Sequence, residues 1–224
     1  MSMPEVEPKD FIITRKRKLY KFALFNNSRL CFEFDEWGQG VADVIELGAG
    51  TGLFSVELAK RYPGKQFVAI DVKADRLQTG AKIAAELNLQ NIVFVRARVE
   101  DQLATMFKPH SLQSIWVTFP DPFPKKRASS RRMTHPQFLK IYQNLLHGSG
   151  ALYVKHDNPT FFNWSLEQLV ADKWNISELS FDLHDSELSD DYKIQTTYEK
   201  RWLGEGLTTH FVKAFAPTLA KPAK

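Results

Sequence analysis

One cysteine, Cys31, is all that the 224 residues contain, so no disulfide can form within the chain. No cluster of cysteine and histidine stands at zinc-ligand spacing, and a structural metal site is not expected. There is no apolar run near the roughly 20 residues that a membrane-spanning helix requires. The opening stretch MSMPEVEPKD has no hydrophobic signal core. Together these absences predict a soluble protein of the reducing cytoplasm, without a metal and without a membrane anchor. Repeats and low-complexity blocks are also missing. A chain of this length suits one domain and buries roughly 70% of its unfolded surface, enough to fold without cross-links.

Charge is modest in sum and uneven in place. Arg15, Lys16, Arg17, Lys18 and Lys21 lie in one acid-free window, and Lys125, Lys126, Arg127, Arg131 and Arg132 in another. Without these ten charges the formal net charge of +4 would become −6. The positive excess is thus confined to two stretches of an otherwise acidic body. That is the pattern of a chain that meets phosphates, and two solvated loops are the plainer alternative.

The rest of the chain is organised around Asp43 to Asp71, DVIELGAGTGLFSVELAKRYPGKQFVAID. Val44, Ile45 and Leu47 predict a buried strand, and Gly48, Gly50 and Gly52 follow it at every second position. From Leu53 the apolar residues Phe54, Leu58 and Ala59 recur at helical spacing until Pro63-Gly64, and Phe67 to Ile70 predicts a second strand. Such a strand, loop, helix, strand unit builds a parallel sheet. Glycines without side chains let a ligand lie against main-chain amides at a helix start. Asp71, ending the second strand twenty-one residues after Gly50, has the place of an acid that holds ribose hydroxyls. A dinucleotide fingerprint starting at Gly48 needs glycine at position 53, where the chain has Leu53.

The spacing Glu46-x-Gly48-x-Gly50-x-Gly52 resembles the first motif of class I S-adenosylmethionine-dependent methyltransferases. The resemblance implies that Glu46, Gly48, Gly50, Gly52 and Asp71 line a site for S-adenosylmethionine. It also implies a Rossmann-like α/β sandwich with a mostly parallel sheet. In that family the segment after the third strand places the adenine, usually by an acid or amide. Arg98 occupies the position here, leaving the contact to Arg98, to backbone groups, or to Glu100 or Asp101 in a shifted register.

Further strands and helices are predicted in order. A helix over 74–89 precedes a strand over 92–95, and a strand over 114–119 enters the proline-rich run Pro120-Asp121-Pro122-Phe123-Pro124, which continues neither a helix nor an inner strand. Asp121 therefore lies at a strand's carboxyl end, where open parallel sheets bind ligands. A helix over 135–146 is expected to end at Gly148 to Gly150. A strand over 151–155 then delivers His156-Asp157-Asn158, with His156 read as structural. A helix over 161–174, a strand over 176–183, the stretch 195–203 and a last strand over 208–215 complete a sheet of about five parallel strands and an added antiparallel one. Trp116 and Tyr153 are expected in the core. The domain reading is a lead and basic segment over 1–40, a methyltransferase domain over 41–216 and a tail over 217–224.

The run Phe119-Pro120-Asp121-Pro122-Phe123-Pro124-Lys125-Lys126-Arg127, with Arg131-Arg132 and Pro136-x-Phe138-Leu139, resembles the tRNA (guanine-N7)-methyltransferase family. Thr196-Thr197-Tyr198-Glu199-Lys200 resembles its C-terminal motif. Ala128 departs from the histidine common there. The resemblance implies methylation of guanine N7 in the tRNA variable loop, with tRNA as partner and a monomer or homodimer as the working form. Carried over by position, Asp121 becomes the catalytic carboxylate beside the cofactor. Lys125, Asp157, Thr196, Thr197, Tyr198 and Glu199 become substrate contacts, and Lys126, Arg127, Arg131 and Arg132 contacts to the tRNA backbone. Plainer readings stand beside these. Thr196-x-x-Glu199 is also a helix capping box, and Asp121 between prolines also suits a turn. Rival functions are a methyltransferase for another RNA, a protein or a small molecule, an RNA-binding protein without catalysis, and an NAD-dependent oxidoreductase.

Overall fold

Strand propensity and glycine punctuation fix the first half of the chain. The computed structural model describes residues 5–11 and 16–217. Arg15, much of the 1–14 lead and nearly all of the 217–224 tail lie outside the described residues. Two compact units divide the chain, residues 1–106 and 107–224. This division falls inside the stretch expected to be one methyltransferase domain.

In the first unit four parallel strands stand in the order β1 (Cys31–Glu33), β4 (Ile92–Arg96), β3 (Phe67–Asp71) and β2 (Val44–Leu47). Every residue of β2 and β3 is buried, as strands covered on both faces require. Helices α3 (Leu53–Arg61) and α4 (Ala74–Glu86) provide the crossovers, burying Phe54, Val56 and Leu58 from one and Leu77, Ala81 and Ala84 from the other. Among the described residues before β2, regular elements form. The basic stretch forms α1 (Lys16–Asn26), which buries Ala23 and Phe25 and packs on α4. Cys31 to Glu33 adds the edge strand, and Phe34–Trp37 is the short helix α2. Burial drives the Cys31 thiol up to about 12, so it stays protonated and inert at neutral pH.

The second unit carries β5 (Leu112–Thr118), β6 (Leu146–His156), β8 (His210–Phe215) and β7 (Asn175–Ser180) in that order. Strand β5 pairs with β6 in parallel, and β8 runs antiparallel to both β6 and β7. The expected mostly parallel sheet with an antiparallel C-terminal strand is thereby realised. Helix α6 (Pro136–Leu145) buries Phe138, Leu139, Tyr142 and Leu145, and α7 (Pro159–Ala171) is capped by the Asn158 side chain. Trp116 and Tyr153 stack at 4.3 Å between ring centres, an arrangement worth about 0.5–1.5 kcal/mol beyond area burial. Trp116 is buried and Tyr153 half-buried.

Several element boundaries differ from the sequence reading by a few residues, and β6 differs most. Gly148 to Gly150 do not merely end a helix but lie inside β6, which starts at Leu146. A Cβ on Gly150 would meet the Leu112 carbonyl oxygen at 2.7 Å, so glycine serves close backbone approach beside the register shift in β5. Val99 to Met106, for which no element was predicted, forms helix α5, with the Gln102 side chain accepting from the Arg98 amide at 2.6 Å.

Candidate active site

The glycine loop of the first unit has the backbone that only glycine adopts without strain. Gly48, Gly50 and Gly52 have φ of +67°, +58° and +69°. Gly52 is the N-cap of α3, so the loop turns directly into a helix start. A Cβ on Gly50 would meet nothing within 4 Å, which leaves open space against the main chain there. From behind, Gly80 of α4 presses so close that a Cβ would come to 2.3 Å from the Thr51 carbonyl oxygen.

Asp71 is bound into this loop. Its Oδ2 accepts from the Gly50 amide and its Oδ1 from the Lys73 amide, both at 2.8 Å. Each carboxylate oxygen has a second lone pair for a hydroxyl group, so the donor set and the open face suit the amino-acid part and ribose of S-adenosylmethionine. Glu46 is buried beneath the loop, where Ser55 Oγ donates to its Oε2 at 2.6 Å. Arg98 points to solvent and pairs with Asp101 at 3.3 Å, an exposed pair that adds little.

Burial raises the Asp71 pKa, and the Gly50 and Lys73 amides with Arg76 and Lys73 offset only part of that rise. A ribose is held by the ionised form. Affinity for S-adenosylmethionine should therefore fall as pH drops through the raised pKa. The stability contribution has the opposite sign: it is present below the ordinary aspartate pKa and is withdrawn as pH rises through the raised one. Titration calorimetry over a falling pH series is expected to show this loss. Asp71→Asn should weaken binding about tenfold or more at pH 7.5, since a hydrogen bond to a charged group contributes about 1.5–3 kcal/mol, and should flatten the profile. An unchanged wild-type affinity down to the pH at which the protein unfolds removes Asp71 from the ribose site.

In the second unit Asp121 is exposed on a loop beyond the end of β5. The residues flanking this loop are strained: Phe119 has φ +49° and Phe123 φ +40°. Such conformations cost about 1–3 kcal/mol each and persist where surroundings over-determine them. Here the Phe119 amide donates to the Lys155 carbonyl at 2.9 Å, and Arg132 donates to the Phe123 carbonyl through Nε and Nη2 at 3.3 and 3.1 Å. Arg132, expected among the tRNA backbone contacts, is only 8% exposed and stacks on Trp164 at 4.4 Å. Its side chain thus anchors the loop. Lys125, Lys126, Arg127 and Arg131 remain exposed, with Arg131 over the Phe123 ring at 4.3 Å.

Asp157 and Tyr198 come together, the phenol donating to Asp157 Oδ2 at 3.3 Å. Burial pushes the Asp157 pKa up, but the His156 ring and the Tyr198 hydroxyl outweigh it and hold the carboxyl below its ordinary value. Tyr198 keeps an exposed face and lies 5.4 Å from the Phe119 ring. Thr196 caps α8 (Thr197–Leu203): its Oγ1 accepts from the Glu199 amide at 3.0 Å, while Glu199 Oε2 accepts from the Thr196 amide at 3.1 Å. The capping-box reading of this pair is therefore realised.

Glu199 itself is 1% exposed and serves as a buried hub. Its Oε2 accepts from Lys155 Nζ at 2.8 Å, and its Oε1 faces His184 Nε2 at 2.8 Å and Thr209 Oγ1 at 3.1 Å. Lys155 and His184 escaped the sequence reading. A lysine ending the apolar run ALYVK was the one signal that a buried partner existed; nothing near His184 pointed to Glu199. Among the described residues no group of His, Cys, Asp and Glu is arranged to hold a metal ion, and no helix is long and apolar enough to cross a membrane.

The chain is similar to known proteins over most of its length. Residues 41–212 match the family described as "Putative methyltransferase". A tRNA (guanine-N(7)-)-methyltransferase of Cytophaga hutchinsonii is 34% identical over 173 residues, 76% of this chain and 78% of that protein. One from Mycoplasmopsis pulmonis is 38% identical over 169 residues, 75% of this chain and 82% of its own length. Among solved structures, the 16S rRNA methyltransferase KamB superposes with a TM-score of 0.59 at 15% identity, covering 82% of this chain and 93% of that one. A mutant 16S rRNA (adenine(1408)-N(1))-methyltransferase from Catenulisporales acidiphilia, solved with cosubstrate SAM, gives 0.55 at 15% identity, covering 85% and 94%. At such identities the likeness is one of fold.

Proposed function

Because the chain belongs to the tRNA (guanine-N7)-methyltransferase family, we propose that it methylates guanine N7 in tRNA, at a guanosine of the variable loop, with S-adenosylmethionine as methyl donor. The observation that carries the site assignment is the exposed Asp121 on a loop strained at both ends and pinned by buried groups. Strain of that kind is retained where a side chain has to be held in one place.

Guanine N7 offers an in-plane lone pair and loses no proton on methylation, so no strong base is required. S-adenosylmethionine supplies an activated methyl on sulfur; N7 takes the methyl as the sulfur keeps the bonding pair, and the purine becomes cationic. Positioning then dominates, with up to about 7–11 kcal/mol available from alignment in favourable intramolecular analogues. Asp121 accepts hydrogen bonds from the Watson-Crick edge of the guanine and favours the developing positive charge. Asp157 orients Tyr198, whose exposed face stacks on the extruded base for about 1–3 kcal/mol. Lys125 meets O6 or a phosphate, and Thr196 and Thr197 meet the nucleoside from the start of α8. Glu46, Gly48, Gly50, Gly52 and Asp71 hold the cofactor, with the backbone around Arg98 at its adenine. Residues 41–216 form the methyltransferase domain of a cytoplasmic enzyme, working as a monomer or homodimer.

The direct test incubates the purified protein with methyl-labelled S-adenosylmethionine and unmodified tRNA, followed by nucleoside analysis. Label in 7-methylguanosine is the expected result; tight cofactor binding with label elsewhere, or with no transfer, refutes the substrate. The exposed cations give a second expectation. Neutralising Lys125, Lys126 and Arg127 together should lower tRNA affinity and reduce the slope of log affinity against log salt by about 2. An unchanged slope returns these residues to the role of solvated loop.

A further inference from the structure

Asp121 and Asp157 have tasks in this reaction, whereas His156, buried between their backbones, has none. Its ring is 3% exposed and packs on Phe161 at 4.4 Å. Nε2 lies 2.9 Å from the Pro120 carbonyl oxygen, and Nδ1 lies 2.8 Å from the Asn158 amide nitrogen and 3.1 Å from Asp157 Oδ1. A carbonyl only accepts, so Nε2 has to carry a hydrogen. The opposite tautomer would donate from Nδ1 to Asp157 Oδ1, but it would set a lone pair against the Pro120 carbonyl and a hydrogen against the Asn158 amide. Both the neutral ring with hydrogen on Nε2 and the protonated ring keep the Pro120 contact.

Pro120 precedes Asp121 directly. Its carbonyl oxygen belongs to the peptide plane that leads into Asp121, and the strained Phe119 lies on its other side. The Arg132 guanidinium fixes the far end of the loop through the Phe123 carbonyl. His156 is followed directly by Asp157 and Asn158, the latter capping α7 through its side chain to the Phe161 amide at 2.9 Å. One imidazole therefore ties the loop of Asp121 to the strand end that carries Asp157.

We propose that His156 is a positioning residue that sets the separation of Asp121 and Asp157 through its Nε2–H hydrogen bond to the Pro120 carbonyl. This rests on the reading of Asp121 and Asp157 as the groups that hold the guanine. His156 touches neither substrate nor cofactor; it acts by fixing the peptide that aims Asp121.

Two substitutions separate this role from packing. His156→Phe keeps an aromatic ring against Phe161 and loses the donor, whereas His156→Gln keeps a donor near the Nε2 position and loses the ring. The positioning role predicts that the Phe variant loses kcat for tRNA by about 10- to 100-fold, the penalty of a displacement near 1 Å. It predicts that the Gln variant recovers most of that loss, and that the Kd for S-adenosylmethionine stays within about twofold in both, because the cofactor loop belongs to other elements. A kcat for Phe equal to or above that for Gln, in folded proteins, assigns His156 to packing and overturns the proposal. Nitrogen-15 NMR of the wild-type imidazole tests the same point without a variant. It should show a hydrogen on Nε2 at every pH at which the protein is folded; the Nδ1–H tautomer overturns the proposal. Wild-type protein that makes no 7-methylguanosine refutes the functional reading instead, and the NMR result still reports on the Pro120 contact.

Discussion

Asp121→Ala should lower kcat for tRNA methylation by at least a hundredfold to a thousandfold while the protein melts within about 2 °C of wild type. The rate expectation follows from the cost of removing one preorganised electrostatic partner of a developing charge, about 2.7–4 kcal/mol. The stability expectation follows from the structure, since Asp121 is exposed and surface substitutions usually change stability by under about 0.5 kcal/mol. Asp121→Asn separates charge from hydrogen bonding, because the amide oxygen still accepts but no longer balances a cationic purine. It should lie between wild type and alanine in kcat. Single-turnover rates on unmodified tRNA provide the readout, and near-normal turnover in the alanine variant would falsify the assignment.

The largest effect on stability is expected at Glu199. Glu199→Ala leaves the Lys155 ammonium, 0% exposed, without its carboxylate, and breaking a buried pair this way costs about 3–5 kcal/mol. For a chain of this size each kcal/mol shifts Tm by about 2–4 °C, so a fall near 10 °C is expected. Lys155→Met should cost less. Glu199 then keeps the Thr196 amide, the Thr209 hydroxyl and His184 around its oxygens, whereas Lys155 without Glu199 keeps the Ile194 carbonyl. The order of the two melting temperatures is the discriminating result. Equal losses, or a loss under about 1 kcal/mol for Glu199→Ala, indicate that water reaches the cluster. Lost activity in Glu199 variants has to be separated from this fold effect, because the same carboxylate caps the helix that presents Tyr198.

The strand-and-glycine grammar of residues 43–71 was legible because each signal is local. An apolar run, three glycines at positive φ and an acid at the next strand end depend on neighbours a few residues away. Edge strand β1 was not legible, since Cys31 to Glu33 is a strand only because β4 offers it partners. Helix α5 after β4 was likewise not predicted, although a glutamine four residues on supports its start. In the site the contrast is sharper. The loop that carries Asp121 announced itself through its prolines, but the burial of Arg132 and Glu199 did not, because charge in a sequence reads as surface until a partner is known. Arg132 finds Trp164 and the Phe123 carbonyl, and Glu199 finds Lys155, across separations that no periodicity encodes.

Cys31 gives the protein a practical property. The chain's one thiol is buried and its pKa stands at about 12, so maleimide and iodoacetamide reagents should pass it by at neutral pH. A cysteine introduced at the exposed Ser130, in the basic segment, would then be the single site of attachment for a fluorophore. Such a conjugate turns the arrival and departure of tRNA into an optical signal in the native background, with no prior removal of cysteine.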